Sequence, residues 1–232
     1  MLRECVMIWL RNPSLSVPFI IHQFLRYGIL TVLVLYTMIE LGTTSTSELI
    51  KRFKDFMDVI AVAAIADLTI EGYFISAEIK ACYDAINGQM DLDQAIKFAF
   101  RTIPSMFVIL LTVALSTIPT VIGLLNRDIA ILAISSIYLT VLVISLTFVP
   151  LAIVIDGLNP AKSIIRSIEV VKSRIGKVLT FWAFVGLILI SYALILRMSM
   201  NSIILLFILN LLILPAVIMP IIFIWWILLY IR

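Results

Sequence analysis

The chain has 232 residues, of which 63% are hydrophobic and only 13% are charged. A soluble domain is typically about 45–50% apolar and about 25% charged, so this composition excludes an ordinary water-soluble fold and indicates an integral membrane protein. The net charge of +3 is too small to indicate a nucleic-acid-binding protein, and we expect no nucleic acid among its partners.

Six apolar runs are long enough to cross the hydrocarbon core of a bilayer, which takes about 20 helical residues. They are Val17–Leu41, Met57–Cys82, Pro104–Leu125, Ile129–Ile155, Val178–Leu196 and Ser202–Tyr230. The first run is not followed by a small-residue cleavage site, so we interpret it as a retained membrane helix. Very short connections in the second and third pairs make antiparallel neighbours, whereas the first pair carries an extra segment, Gly42–Phe56.

A short amphipathic helix precedes each pair of spans, and the three helices share one design. They lie near the N-terminus (residues 2–10), at Asp91–Arg101 and at Asn159–Ile175. Each ends at a basic residue followed by proline or glycine, after which the next span begins. The sequence therefore predicts an all-α integral membrane protein with six transmembrane helices, arranged as three repeated hairpins, each preceded by a cytoplasmic amphipathic interfacial helix. The repeat units are roughly 1–87, 88–156 and 157–232 of a single polytopic membrane domain, 1–232.

Local signals mark the ends of two of these helices. Asp91 with Gln94 resembles a capping box, and Gly88 just upstream is typical of a helix stop. Asn159 is a suitable N-cap for the third amphipathic helix, and Pro160 occupies its first helical position.

Lysine and arginine are distributed unevenly between the two sides of the predicted topology. Most of them fall on the inner side if the N-terminus is cytoplasmic. We therefore expect a multi-pass protein of the cell membrane with both termini in the cytoplasm. Trp225, Trp226 and Tyr230 fit an aromatic belt at that surface.

Ionisable residues interrupt the first two spans, where each costs about 2.5–3.5 kcal/mol at a helix centre. His22 and Arg26 lie one turn apart in the first span, and Asp67, Glu71 and Glu78 share one face of the second.

Two interpretations of these residues stay open. In one, Arg26 pairs with Asp67 or Glu71 and locks the two helices together, while Glu78 lies near the interface beside Lys80. In the other, the carboxylate face lines a water-filled cavity and binds a cation, a proton or a polar head group.

Prolines lie within the later spans, at Pro119, Pro150, Pro215 and Pro220. Each removes a backbone hydrogen bond and predicts a kink. Broken helices occur at transporter binding sites, and they also occur in helices that only pack.

The third amphipathic helix and its C-terminal junction are basic. We consider five residues candidate contacts for anionic lipid head groups, with ordinary topology-setting charge as the alternative: Lys162, Arg166, Lys172, Arg174 and Lys177.

Motifs for catalysis and cofactor binding are missing from the sequence. It contains no G-x-S-x-G elbow, H-E-x-x-H, P-loop or G-x-G-x-x-G sequence. The two cysteines, Cys5 and Cys82, and the single histidine do not provide the spacing of a disulfide framework or a zinc site. We therefore predict no enzyme activity, no metal and no cofactor.

Short motifs before the spans resemble those of small six-helix membrane families of archaea and bacteria. They are Arg11-Asn-Pro13, Gly88 with Ala95, and Asp156-Gly157-Leu-Asn-Pro160-Ala161 with Ser167. The layout is similar to the YciC-like proteins and to the glycerophosphodiester phosphodiesterase membrane domain. The resemblance covers most of the chain and implies a membrane fold and topology. It carries over no phosphodiesterase site, because the soluble catalytic domain is absent.

Two functions remain open from the sequence. The chain could be a channel or permease component with a polar intramembrane face, or a non-transporting membrane scaffold or lipid-interacting subunit. Membrane lipids are the expected partners, together with a second copy of the chain or another membrane protein.

Overall fold

The computed structural model describes residues 1–41, 57–198 and 209–232, and these residues form helices without any strand. The helices are α1 (Leu2–Arg11), α2 (Ser16–Leu41), α3 (Met57–Ile86), α4 (Leu92–Ser116), α5 (Ile118–Asn126), α6 (Ile129–Ser145), α7 (Val149–Val154), α8 (Pro160–Ser173), α9 (Ile175–Met198) and α10 (Met219–Ile231). A 3-10 turn, Pro13–Leu15, precedes α2, and a π-helical segment, Leu209–Ile218, leads into α10. The predicted extra segment Gly42–Phe56 and the start of the sixth predicted span lie outside the described residues.

Among the residues that the structure describes, four helical stretches are long and apolar enough to cross a membrane. They are Leu92–Asn126, Ile129–Val154, Ile175–Ile195 and Ile213–Ile231, which correspond to the last four predicted spans. Large apolar side chains such as Leu125, Ile129 and Ile134 are strongly exposed on them, as lipid-facing side chains would be. The all-helical fold and these four stretches support the membrane class. The six-span count and the threefold repeat stay predictions.

The helix-end signals in the sequence are confirmed. The Asp91 side chain accepts a hydrogen bond from the Gln94 backbone N–H at 3.1 Å, and Asn159 caps Lys162 in the same way at 3.0 Å. Pro160 lies in the first turn of α8. Gly88 has a φ of 73°, a left-handed conformation that glycine adopts at little cost and that ends the preceding helix.

One predicted boundary is wrong, because the second amphipathic helix is continuous with the third span. Helix α4 passes through Pro104 without a break and ends at Ser116. Helix α4 stays continuous because it packs against α3 on both sides of Pro104. Before the proline, the Tyr73 and Phe100 rings lie 4.8 Å apart. After it, Gly72 lies so close to α4 that an added Cβ would be 3.1 Å from the Met106 Cβ. The helix breaks instead at Thr117, two residues before Pro119.

The fourth predicted span breaks between α6 and α7, where Pro150 lies in the first turn of α7. The Val149 N–H bonds the Leu146 carbonyl, so the Ser145 carbonyl loses its regular helical donor. Ser167 of α8 is fully buried beside this break. Its hydroxyl donates to the Ser145 carbonyl at 2.7 Å and accepts from the Phe148 N–H at 3.0 Å. The broken backbone is thereby paired in a place that water does not reach.

A second break, near the start of α10, is paired in a similar way by the N-terminal helix. Pro220 has no N–H and cannot bond the carbonyl four residues earlier, that of Ala216. That carbonyl accepts instead from the Trp9 indole N–H at 3.1 Å and from the Ser16 hydroxyl. Helix α1 is therefore fixed to the C-terminal part of the chain.

The two ends of the chain also meet. The Arg232 guanidinium forms a bidentate ion pair with the Glu4 carboxylate, with N–O distances of 2.9 and 2.7 Å. Hydrogen bonding from Arg232 lowers the pKa of Glu4, which indicates that the carboxylate is favoured in its charged form. The termini therefore lie on the same side of the bundle.

Replacing Ser167 by alanine should destabilise the protein, because it leaves the Ser145 carbonyl and the Phe148 N–H buried without a partner. We expect a loss of about 1–3 kcal/mol in the free energy of unfolding, measured by denaturant titration in detergent. Ser163→Ala is the matched control. Ser163 is also buried, but its hydroxyl bonds mainly the Asn159 carbonyl at 2.8 Å, which already accepts the Ser163 N–H, and reaches the Leu158 carbonyl only at 3.3 Å. An equal loss in both variants would contradict this account of the break.

Both cysteines should resist thiol reagents in the folded protein. Cys5 and Cys82 are fully buried, and burial raises the pKa of Cys5 to about 11. A membrane-permeant maleimide at pH 7 should therefore leave both unmodified until the chain is denatured, when mass spectrometry should find two additions. Rapid modification of either one in the folded protein would show that its helix opens readily.

Candidate intramembrane polar site

Helices α2 and α3 bring four ionisable side chains together, and we name them the His22 cluster: His22, Arg26, Glu71 and Glu78. His22 and Arg26 are four residues apart on α2, so their side chains project from the same face. Glu71 and Glu78 are seven residues apart, two turns along one face of α3. This regular spacing lets one helix face present two carboxylates to a histidine on the other helix.

The imidazole of His22 lies between the two carboxylates. Its Nε2 is 3.1 Å from Glu71 Oε2, and its Nδ1 is 2.9 Å from Glu78 Oε1. Both distances are those of hydrogen bonds. A neutral imidazole can donate from only one nitrogen, so both contacts are hydrogen bonds only when the ring or one carboxylate carries an additional proton.

Burial differs sharply across the cluster. The Glu78 side chain is 2% exposed, whereas that of Glu71 is 22% exposed and that of Arg26 is 45% exposed. The Phe74 ring stacks on His22, with centroids 4.9 Å apart and planes within 8° of parallel, which fixes the plane of the imidazole. The cluster therefore extends from an open side at Arg26 to a closed side at Glu78.

Arg26 contacts Glu71, with Nη1 3.5 Å from Oε2, so one of the two pairings considered for Arg26 is present. Asp67 does not join the cluster. It is half-buried one turn before Glu71, and it forms no hydrogen bond or ion pair with any other residue that the structure describes.

The expected position of Glu78 beside Lys80 is wrong. Lys80 Nζ bonds Asp84, one turn further along α3, at 2.7 Å. Residues two apart on a helix point about 200° apart, so Glu78 and Lys80 cannot share a face. The Glu78 carboxylate contacts the His22 imidazole instead.

The His22 cluster lines a cavity of about 240 Å³, which we name the central cavity. Pro150, at the break between α6 and α7, and Pro215, within the π-helical segment, lie in its wall. The other side chains that line it are Phe19, Gln23, Ile75, Met219, Phe223 and Trp226. The Trp226 indole N–H is buried and has no partner within the described parts of the chain.

Sequence reasoning missed the contributions of Gln23 and Trp226 to this cavity. Gln23 is polar within a predicted span, and that signal could have placed it in the site. Trp226 was assigned to an aromatic belt, because hydropathy and position along a span do not show which side of a helix faces a cavity.

The five basic candidates near α8 separate into two groups. Lys162, Lys172 and Lys177 are exposed. Arg166 lies near two carboxylates, with Nε 3.6 Å from Asp156 Oδ2 and Nη1 3.8 Å from Glu169 Oε2. Arg174 Nη1 donates to the Leu229 and Tyr230 carbonyls at 2.6 and 2.9 Å. The structure therefore sets the two arginines apart from the lysines.

Over the described residues, no group of three or more histidine, cysteine, aspartate or glutamate side chains is arranged to hold a metal ion. In comparisons with known proteins, no family model, no curated protein and no solved structure matches this chain. The resemblance to six-helix membrane families therefore stays a prediction.

The central cavity should contain water, because its wall carries four ionisable groups and an unpaired indole N–H. A cysteine at position 23 should therefore react with a membrane-impermeant maleimide in reconstituted vesicles, in a background with both native cysteines replaced by alanine. Ile137→Cys is the control, since Ile137 is strongly exposed on a candidate span and would face lipid. Protection of Gln23→Cys from both sides of the membrane would indicate a dry cavity.

Proposed function

We propose that this multi-pass membrane protein is a channel or permease component whose central cavity carries protons. The observation that carries the proposal is the His22 imidazole, which has a carboxylate at hydrogen-bond distance from each ring nitrogen in the wall of a cavity. An ionisable group inside a membrane is expensive to bury, and three such groups in direct contact favour a role beyond packing.

One proton can move from Glu71 to Glu78 through the imidazole without any large movement. Glu71, the more exposed carboxyl group, gives its proton to Nε2, and Nδ1 then gives its own proton to the Glu78 carboxylate. The imidazole returns to its neutral form as the other tautomer, and Glu78 holds the transferred proton. A second transfer first requires Glu78 to release its proton and the imidazole to turn over, which restores its starting tautomer. Histidine suits this step because each ring nitrogen can either donate or accept a proton.

Two proline-containing irregularities, the break at Pro150 and the π-helical segment around Pro215, support the same function. Broken helices place unpaired backbone groups and gaps near the midplane of many transporters, where substrates and coupling ions bind. Here Pro150 and Pro215 belong to different predicted spans, and both lie in the wall that contains the His22 cluster. A break gives a helix a position at which the cavity can open toward one side.

The alternative function is that of a non-transporting scaffold, and the contact between Arg26 and Glu71 favours it. In that case the four side chains form a closed network that holds α2 against α3. Removing one partner of a buried ion pair typically costs about 3–5 kcal/mol, since the other charge is left uncompensated.

Proton flux through the purified protein in vesicles tests the proposal. A potassium gradient with valinomycin sets the membrane potential, and a trapped pH-sensitive dye follows proton entry. Glu78→Gln should lower the rate about 100-fold or more, the low end of what a positioned proton-transfer group contributes. Asp67→Asn is the matched control, because Asp67 lies on the same helix outside the cluster, and its rate should stay near that of the unchanged protein.

The stability of the same variants separates the two functions. No proton flux in the unchanged protein, combined with a lower unfolding temperature for Glu78→Gln, would overturn the transport proposal and favour the scaffold. Flux that is lost in Glu78→Gln while the unfolding temperature is retained would support transport.

A further inference from the structure

A second cavity, of about 510 Å³, lies where three candidate spans end, and we name it the end pocket. Ile155 and Asp156 follow the span that ends at Val154, Arg174 precedes the span that begins at Ile175, and Ile231 ends the last one. A cavity at the ends of three membrane-spanning helices lies at the level of lipid head groups. Its position separates it from the central cavity and from the proposed proton function.

The end pocket contains equal numbers of positive and negative side chains. Arg166, Arg174, Asp156 and Glu169 all line it, and Arg166 lies near both acids. The two contacts of Arg166 with these acids, 3.6 and 3.8 Å, are longer than hydrogen bonds. Arg166 is also about half exposed, at 49%, and Glu169 is 62% exposed. These partly exposed charges are therefore accessible to a ligand that binds beside them.

Other contacts fix the walls of the pocket. The Tyr230 hydroxyl donates to Asp156 Oδ2, which positions that carboxylate. Arg174 bonds the last carbonyls of α10, where a cation is favourable because of the helix dipole. Ile155, Val170 and Ile231 add an apolar side to the pocket. The polar groups are therefore held in place beside a surface that suits a hydrocarbon chain.

We propose that the end pocket binds a phosphoethanolamine group, a phosphate ester that carries a primary ammonium. The phosphate binds the Arg166 guanidinium, whose planar set of N–H groups matches phosphate oxygens, with Arg174 nearby. The ammonium donates to the carboxylates of Glu169 and Asp156. Each charge of the ligand thus meets the opposite charge of the protein.

The balance of charge selects this ligand over the anionic head groups that the basic sequence predicts. An anionic head group without an ammonium, such as that of phosphatidylglycerol, would place its phosphate near two carboxylates with no positive charge of its own to meet them. A quaternary choline cannot donate hydrogen bonds to Asp156 and Glu169. The exposed lysines near α8 add general attraction to a membrane surface, and none of them lines the pocket.

Lipid titration of the delipidated full-length chain in detergent tests the proposal, with binding followed by native mass spectrometry. Phosphatidylethanolamine, phosphatidylglycerol and phosphatidylcholine with identical acyl chains are compared. We expect phosphatidylethanolamine to bind about tenfold more tightly than the other two, as one additional charge-assisted hydrogen bond would give. Equal binding of the three lipids, or tighter binding of phosphatidylglycerol, would overturn the proposal.

Two variants distinguish recognition from a structural role. Arg166→Gln should weaken phosphatidylethanolamine binding about tenfold, whereas Lys172→Gln, an exposed control on the same helix, should leave it unchanged. Glu169→Gln removes one negative charge from an exposed side chain that folding does not depend on. It should weaken the binding of phosphatidylethanolamine and strengthen the binding of phosphatidylglycerol, so that the difference in affinity between the two lipids becomes smaller. If Glu169→Gln still preferred phosphatidylethanolamine over phosphatidylglycerol by the same factor, the ammonium could not be assigned to Glu169.

Soluble phosphoethanolamine identifies the source of the ligand. Displacement of bound lipid by the free compound would support recognition of the head group by itself, including a water-soluble metabolite. Binding of phosphatidylethanolamine that free phosphoethanolamine does not displace would assign the site to the lipid, with the apolar side of the pocket contributing. Failure of both to bind would overturn the proposal.

Discussion

The structure depends on one constraint, which is that a backbone group freed by a helix break must find a partner where water is absent. Proline causes two such breaks, at Pro150 and Pro220, and each exposes a carbonyl that the regular helix would have paired. Ser167 pairs the first break, and Trp9 with Ser16 pairs the second. These contacts join segments far apart in sequence, so the breaks determine where α1 and α8 pack.

The first of these breaks and the π-helical segment before α10 border the central cavity. Pro150 and Pro215 both lie in its wall, opposite the helices that carry His22 and its two carboxylates. A helix that continued regularly through these points would pack side chains more closely there. The cost of the breaks is offset by side-chain hydrogen bonds, and the space that they leave is lined by ionisable groups. Polar chemistry and irregular backbone therefore occur together in this fold.

The two polar sites differ in the way that charge is balanced. In the His22 cluster, the nitrogen–oxygen distances between the ionisable side chains are 2.9–3.5 Å, and one carboxylate is almost completely buried. Such close contact suits the movement of a proton between fixed groups. In the end pocket, the opposite charges stand further apart and are partly exposed, which suits a ligand with charges of its own. Distance and burial, rather than residue type, distinguish the two proposed roles.

The sequence by itself determined the features that depend on neighbouring residues. Hydropathy over about 20 residues indicated the membrane class, and the caps at Asp91 and Asn159 followed from local hydrogen bonding. It also placed Glu71 and Glu78 on one helix face. Only the tertiary structure decided that His22 lies between them, that Asp67 stays outside, and that α4 continues through Pro104. It also showed that Arg166 lies near two acids and Arg174 bonds backbone carbonyls, while the lysines are exposed. Those outcomes depend on which helix packs against which face, and contacts between distant segments leave no periodic signal in a single sequence.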